Sequence, residues 1–97
     1  MTLQELRNSL RSDEPPEHLS LALAGLWWDA KGDWARAHQS AQQDEGPSGV
    51  HAYLHRKEGD DSNAEYWYRR ASNTPSRAPL EHEWTEIAEL LLRGAGE

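Results

Sequence analysis

Apolar positions along the chain recur at three- and four-residue spacing, and no stretch alternates for the length of a strand. The clearest register is the last one. Leu80, Trp84, Ile87, Ala88 and Leu91 line one face of a helix predicted over 80–93. Leu19, Ala22, Leu23, Leu26, Trp27 and Ala30 form a wider stripe that runs up to Lys31. Leu3, Leu6 and Leu10 share a face behind Thr2 and Glu5, a capping box in which hydroxyl and carboxylate satisfy orphan backbone amides. Asp13-Glu14-Pro15-Pro16 is expected to end that helix and begin the second, because proline is tolerated in a first helical turn but not deeper. Asp33 then caps a third helix over 34–43, with Trp34, Ala37, His38 and Ala41 on one side. A fourth helix is predicted over 50–58, and a fifth from the second capping box, Ser62-Asn63-Ala64-Glu65, through Ala71. Residues 44–49 and 72–79 read as loops, and 94–97 as a frayed tail. The predicted class is all-α, a compact bundle of five to six short helices in one domain over 1–97.

Two parts of the chain repeat. Gly32-Asp33 and Gly59-Asp60 stand 27 residues apart, each between two short helices. Seven residues before each glycine is a small residue (Gly25, Ala52), and four before is a flat ring (Trp28, His55). Five after comes alanine (Ala37, Ala64), and nine after come Ala41 and Tyr68. Small residues let two antiparallel helices approach while a ring fills the volume beside them, so 19–43 and 48–72 read as helical hairpins. On Gly25, Trp28, Gly32-Asp33-Trp34 and Ala37, and on Ala52, Gly59-Asp60, Ala64, Tyr68 and Ala71, the chain resembles the tetratricopeptide and Sel1-like helical repeats over residues 19–71. The spacing is shorter than the usual ~34 residues, and two units are fewer than a free-standing solenoid needs, so the outer helices are expected to act as caps. The resemblance implies a concave face lined by the first helix of each hairpin, where peptide ligands lie. Carried over residue by residue, that face holds Leu26 and Asp29, then Tyr53, Arg56 and Lys57. The strings 32–38, 50–60 and 63–71 also look like a family of short bacterial proteins with no assigned activity, which implies a bacterial source and supplies no chemistry.

Composition sharpens this picture. The chain has one Ile, one Val and no Phe, a mean hydropathy of −0.97 and a net charge of −7, values that usually mark disorder. Five Trp, three Tyr and twelve Ala argue for a folded domain whose core is rings packed on alanines. The absence of Cys removes disulfides, thiolate zinc sites and Cys nucleophiles. No apolar run approaches the ~20 residues of a membrane span, and the first ten residues lack the pattern of a signal peptide, so a cytoplasmic protein is expected. The acidic balance disfavours nucleic acid and anionic lipid, leaving protein, peptide or a second copy of the chain as expected partners. No nucleophile elbow or phosphate-cradling glycine loop occurs, and no catalytic residue is assigned.

Two candidate sites remain. Tyr53, Arg56 and Lys57 lie on one helical stripe, and a phenol beside two cations suits an acidic peptide or a terminal carboxylate. Arg69 and Arg70 are candidate extensions of that surface. The plainer reading of the stripe is a solvated face paired with Glu58 and Asp60. This surface gives the expected function: a small interaction or adaptor module without a cofactor. The alternative is a metal- or small-ligand-binding protein, a class that includes enzymes, centred on His38, His51 and His55. His51 and His55 are four residues apart on one helix, able to share a divalent metal such as zinc, with Glu58 or Asp60 as further ligands. Ala52 follows His51 where a metalloprotease has Glu, which excludes that class. The competing account of His55 is a hydrogen-bonded core histidine. The tryptophans read as core volume rather than a pocket, and Trp67 and Tyr68 as core within Tyr66–Arg70, whose residues cover every face of a helix. Glu81, Glu83, Glu86 and Glu89 read as a solvated helix face.

Overall fold

The Thr2 hydroxyl accepts the Glu5 amide at 3.1 Å while the Thr2 amide donates to Glu5 Oε1 at 3.0 Å, so the first capping box opens α1 (Leu3–Ser9). The computed structural model describes residues 1–44, 49–72 and 75–95, and the described residues form six α-helices and no strand. The second helix, α2 (Leu21–Ala30), starts later than the prolines imply. Its N-cap is Ser20, whose hydroxyl accepts the Leu23 amide at 3.2 Å, as a capping side chain should. His18, at φ 67°, takes a left-handed conformation that no continuous helix from Pro15 could contain. Asp33 caps α3 (Trp34–Gln43) by accepting the Arg36 amide at 3.1 Å. After Gly49 comes α4 (Val50–Lys57). The fifth helix, α5 (Asp61–Arg70), is opened by Asp60 rather than by the Ser62 box, because the Asp60 carboxylate reaches the Asn63 amide first. The sixth, α6 (Leu80–Ala95), runs on through Gly94 and Ala95, which the sequence pattern assigns to a frayed tail. Buried Leu92 anchors those last turns against the core. Gly96 and Glu97, and the predicted loop positions 45–48 and 73–74, lie outside the described residues.

The 27-residue repeat is a repeat of turn geometry. Gly32 and Gly59 sit at φ 83° and 89°, a region that favours glycine. Around them the same two bonds recur, Asp33 N–H to Trp28 O at 2.9 Å and Asp60 N–H to His55 O at 3.0 Å, with Gly32 N–H to Asp29 O and Gly59 N–H to Arg56 O inside them. Each turn ends one helix in the manner of a left-handed C-terminal cap, and the following Asp caps the next. Gly25 marks a close approach: a Cβ there would lie 3.2 Å from Val50 Cγ1 and 3.3 Å from the Ala37 carbonyl oxygen. In the second hairpin, buried Ala52 and Ala64 meet Tyr68.

The first helices of the two hairpins, α2 and α4, are covered by α6, and α1 packs on α6 in turn. Leu6, Leu26, Trp27, Val50 and Leu54 are fully buried at the centre. Indole N–H groups need partners when buried, and three find them: Trp27 donates to Ser9 Oγ, Trp34 to Leu54 O and Trp84 to Leu26 O. The result is an all-α bundle with no helix long and apolar enough to cross a membrane among the described residues.

Candidate metal centre

The two hairpins meet where α3 lies beside α4, and there His38, His51 and His55 converge. One ligand nitrogen from each lies within 4.8 Å of the others. His38 Nε2 and His51 Nε2 are 3.1 Å apart, one donating and the other accepting. The rings are fixed from outside the cluster. His38 stacks on Trp34 (4.8 Å, 13°), and His51 lies between the rings of His55 and Trp67, 3.8 Å from the latter. His55 is buried, and its Nδ1 faces Glu58 Oε1 at 2.6 Å. A carboxylate accepts and cannot donate, so Nδ1 is the donor in this contact, and Nε2 is the ring nitrogen that Glu58 leaves unengaged. The His-Glu pair is formed within the last turn of α4 and the residue that caps it.

Burial and neighbouring imidazoles both disfavour charge here. Burial, then the approach of His55 and His38, pushes His51 down to about 4. Burial and His55 also lower His38, against a smaller opposing pull from Glu58. With charge disfavoured, one of the two rings carries its proton on Nε2 in their shared bond and the other an Nε2 lone pair, so a metal held by both would require the donor ring's other tautomer, with its proton on Nδ1. Glu58 and Asp60 group with His55 on the other side of its ring, although Asp60 is occupied in capping α5. The remaining histidines, His18 and His82, are exposed and outside the cluster.

The second candidate surface is placed differently from a free groove. Tyr53 is buried and donates its hydroxyl to Asp29 Oδ2 at 2.9 Å, while Lys57 Nζ lies 2.8 Å from Asp29 Oδ1. Arg56 donates to Glu83 Oε1 at 2.7 Å and to the Ala78 carbonyl. Tyr68 donates to the other oxygen of Glu83. The pairing acids are therefore Asp29 and Glu83, not the Glu58 and Asp60 that local sequence offers. Burial, followed by Asp29, holds the Tyr53 phenol well above its usual range, and burial followed by the Glu83 hydrogen bond does the same for Tyr68. Arg70 stacks over the Tyr66 and Trp67 rings on α5, and Arg69 is exposed. Trp67 is half-buried: one face lies on His51 and the ring packs at the edge of the cluster of Ala52, Ala64 and Tyr68.

Glu83 is the residue that its charged neighbours in sequence disguise. Beside Glu81, Glu86 and Glu89 it reads as part of a solvated face, yet it is 4% exposed. The signal is present all the same: Glu83 stands three residues after Leu80 and four before Ile87, on the apolar stripe itself. Asp29 likewise follows Leu26 by three. Compared with protein-family models, curated proteins and solved structures, the chain matches none.

Proposed function

We propose that the chain binds a divalent transition-metal ion through the imidazoles of His38, His51 and His55. The observation that carries this reading is the convergence of three ligand nitrogens from two helices within 4.8 Å. Two imidazole nitrogens on a tetrahedral zinc ion, each ~2.0–2.1 Å from it, stand ~3.3 Å from one another. The separation between His38 and His51 is 3.1 Å, close to that requirement. Glu58 supports the reading as the carboxylate that orients a ligating histidine and raises its basicity. The net charge of −7 draws cations toward the molecule. An all-imidazole set without thiolate suits zinc, nickel or copper(II), and leaves a fourth position for water or an exogenous ligand. The adaptor reading through Tyr53, Arg56 and Lys57 has less support, because Tyr53 is buried against Asp29, Arg56 is held by Glu83, and Asp29 takes one bond from Lys57.

Tag-free protein titrated with zinc by calorimetry tests this. One equivalent is expected, with Glu58→Gln weakening it by about 10–100-fold. His38→Gln and His51→Ala should weaken it at least as much. Copper(II) should quench tryptophan emission at the same stoichiometry, since Trp34 and Trp67 stack on the ligands. Absence of saturable uptake, or uptake equal in wild type and both histidine variants, overturns the proposal.

A further inference from the structure

Where α6 begins, its cover over α2 and α4 is incomplete, and a cleft of ≈ 670 Å³ remains beside the end of α1. That volume falls within the range of small-molecule sites. None of the three clustered histidines lines it. Its apolar walls are Leu10, Ala30, Leu80 and the Trp84 ring. Two cations reach it, Arg7 and Lys57. Both are held in place by neighbours and both keep unused donors. Arg7 gives one N–H to Thr85 Oγ1 at 2.9 Å and lies 5.9 Å from the centre of the Trp84 ring. Lys57 gives one to Asp29, whose side chain is 4% exposed and whose second oxygen is already occupied by Tyr53.

A guanidinium has five N–H donors and an ammonium three, so four and two remain. On the acceptor side, Asp29 has both oxygens engaged. Among the described residues, Glu81 is the one other acid lining the cleft, exposed at the start of α6. The imbalance is in favour of donors, and much of the remaining wall is apolar.

We propose that this cleft binds a small organic acid, with its carboxylate bonded to Arg7 and Lys57 and its hydrocarbon body against Leu10, Ala30, Leu80 and Trp84. Arg7 supplies a planar fork that matches a carboxylate, and Lys57 a fixed point charge. Glu81 opposes the anion and limits affinity.

The test uses the full chain with octanoate, octanol and octylamine, each below its micelle concentration, followed by NMR titration at low salt. Octanoate should saturate one site and bind about tenfold or more tightly than octanol, with octylamine weaker still. Arg7→Gln, which removes one exposed hydrogen bond and the cation beside the Trp84 ring, should weaken octanoate about tenfold with the rest of the amide spectrum unchanged. Lys57→Gln should weaken it as well, and Glu81→Gln should strengthen it a few-fold at low salt. Equal binding of octanoate and octanol overturns the proposal. So does octanoate affinity that is unmoved in both Arg7→Gln and Glu81→Gln, or shift changes that fall away from Leu80 and Trp84.

Discussion

Replacing Glu83 with glutamine keeps the side-chain volume but removes the charge that two donors share. In the native chain Arg56 and Tyr68 each donate to one Glu83 oxygen, and the residue is 4% exposed. Hydrogen bonds to a charged group contribute ~1.5–3 kcal/mol against ~0.5–1.5 kcal/mol for neutral ones, so neutralising the acceptor costs about 1 kcal/mol for each donor. Glutamine also turns an N–H toward one of the two donors, which leaves that bond unmade. Breaking a fully buried pair costs ~3–5 kcal/mol, but the Arg56 side chain is 21% exposed and keeps its bond to Ala78 O, so the charge left behind is partly hydrated. The sum is about 2–3 kcal/mol, or a fall in Tm of ~10–20 °C for a domain of this size. Urea unfolding followed by tryptophan emission measures it, with Glu86→Gln on the exposed side of α6 as the reference. Pairing Glu83→Gln with Arg56→Met should recover ~1–3 kcal/mol as coupling energy. A Glu83→Gln shift no larger than that of Glu86→Gln, or a coupling near zero, refutes the assignment of Glu83 as the acid that holds α6 to α4.

Three further outcomes follow from the same geometry. In chelator-treated protein, His51 titrates at about 4 when folded against ~6.5 unfolded, so the unfolded chain takes up the proton first as the pH falls. Its contribution is complete above about pH 6.5 and is lost between there and about pH 4; the full linkage of ~3.4 kcal/mol is cut by the ring's partial access to solvent, so His51→Gln should lose roughly 2 kcal/mol less stability than wild type across that window, and parallel curves would contradict it. Tyr53 and Tyr68 stay protonated above the usual phenol range, so tyrosinate absorbance should show two groups appearing only as the chain unfolds in alkali; smooth ionisation of all three tyrosines in the native state would refute this. Gly25→Val forces a branched side chain against Val50 and the Ala37 carbonyl. Such overpacking should cost about 1–3 kcal/mol in chemical denaturation, whereas a neutral result would mean that α2, α3 and α4 are not in contact there.

The hairpins are legible in the sequence because their determinants are local. A left-handed residue followed by a cap needs only Gly-Asp, and both copies are visible as Gly32-Asp33 and Gly59-Asp60. Helix starts are less legible where two local signals compete. Pro15-Pro16 and Ser20 can each open α2, and Asp60 and Ser62 can each open α5, and the helix starts at the residue whose side chain accepts an orphan amide, Ser20 in one case and Asp60 in the other. The histidines are half legible. Spacing alone puts His51 and His55 on one face of α4, and His38 shares a side of α3 with Trp34, but their meeting depends on how one hairpin lies against the other.

The cationic stripe carries a different lesson about what residue patterns encode. Tyr53, Arg56 and Lys57 on one face specify an acid as complement, and acids do complement them. A stripe cannot say whether its complement arrives from another molecule or from another helix of the same chain. That is decided by whether an element exists that can cover the face. Here α6 does, since Glu83 interrupts its apolar stripe at a position that a helix lying on α2 and α4 must bury. A single carboxylate on an otherwise apolar face, in a chain with an unexplained cationic stripe, is thus the sequence signature of an internal pair. Once Glu83 has taken one bond each from Arg56 and Tyr68, and Asp29 one each from Tyr53 and Lys57, Lys57 still keeps two N–H donors, and Arg7 four, at the uncovered end of α6. On the proposed reading it is at that end, beside Trp84, that a small outside acid would find cations held in place and an apolar wall together.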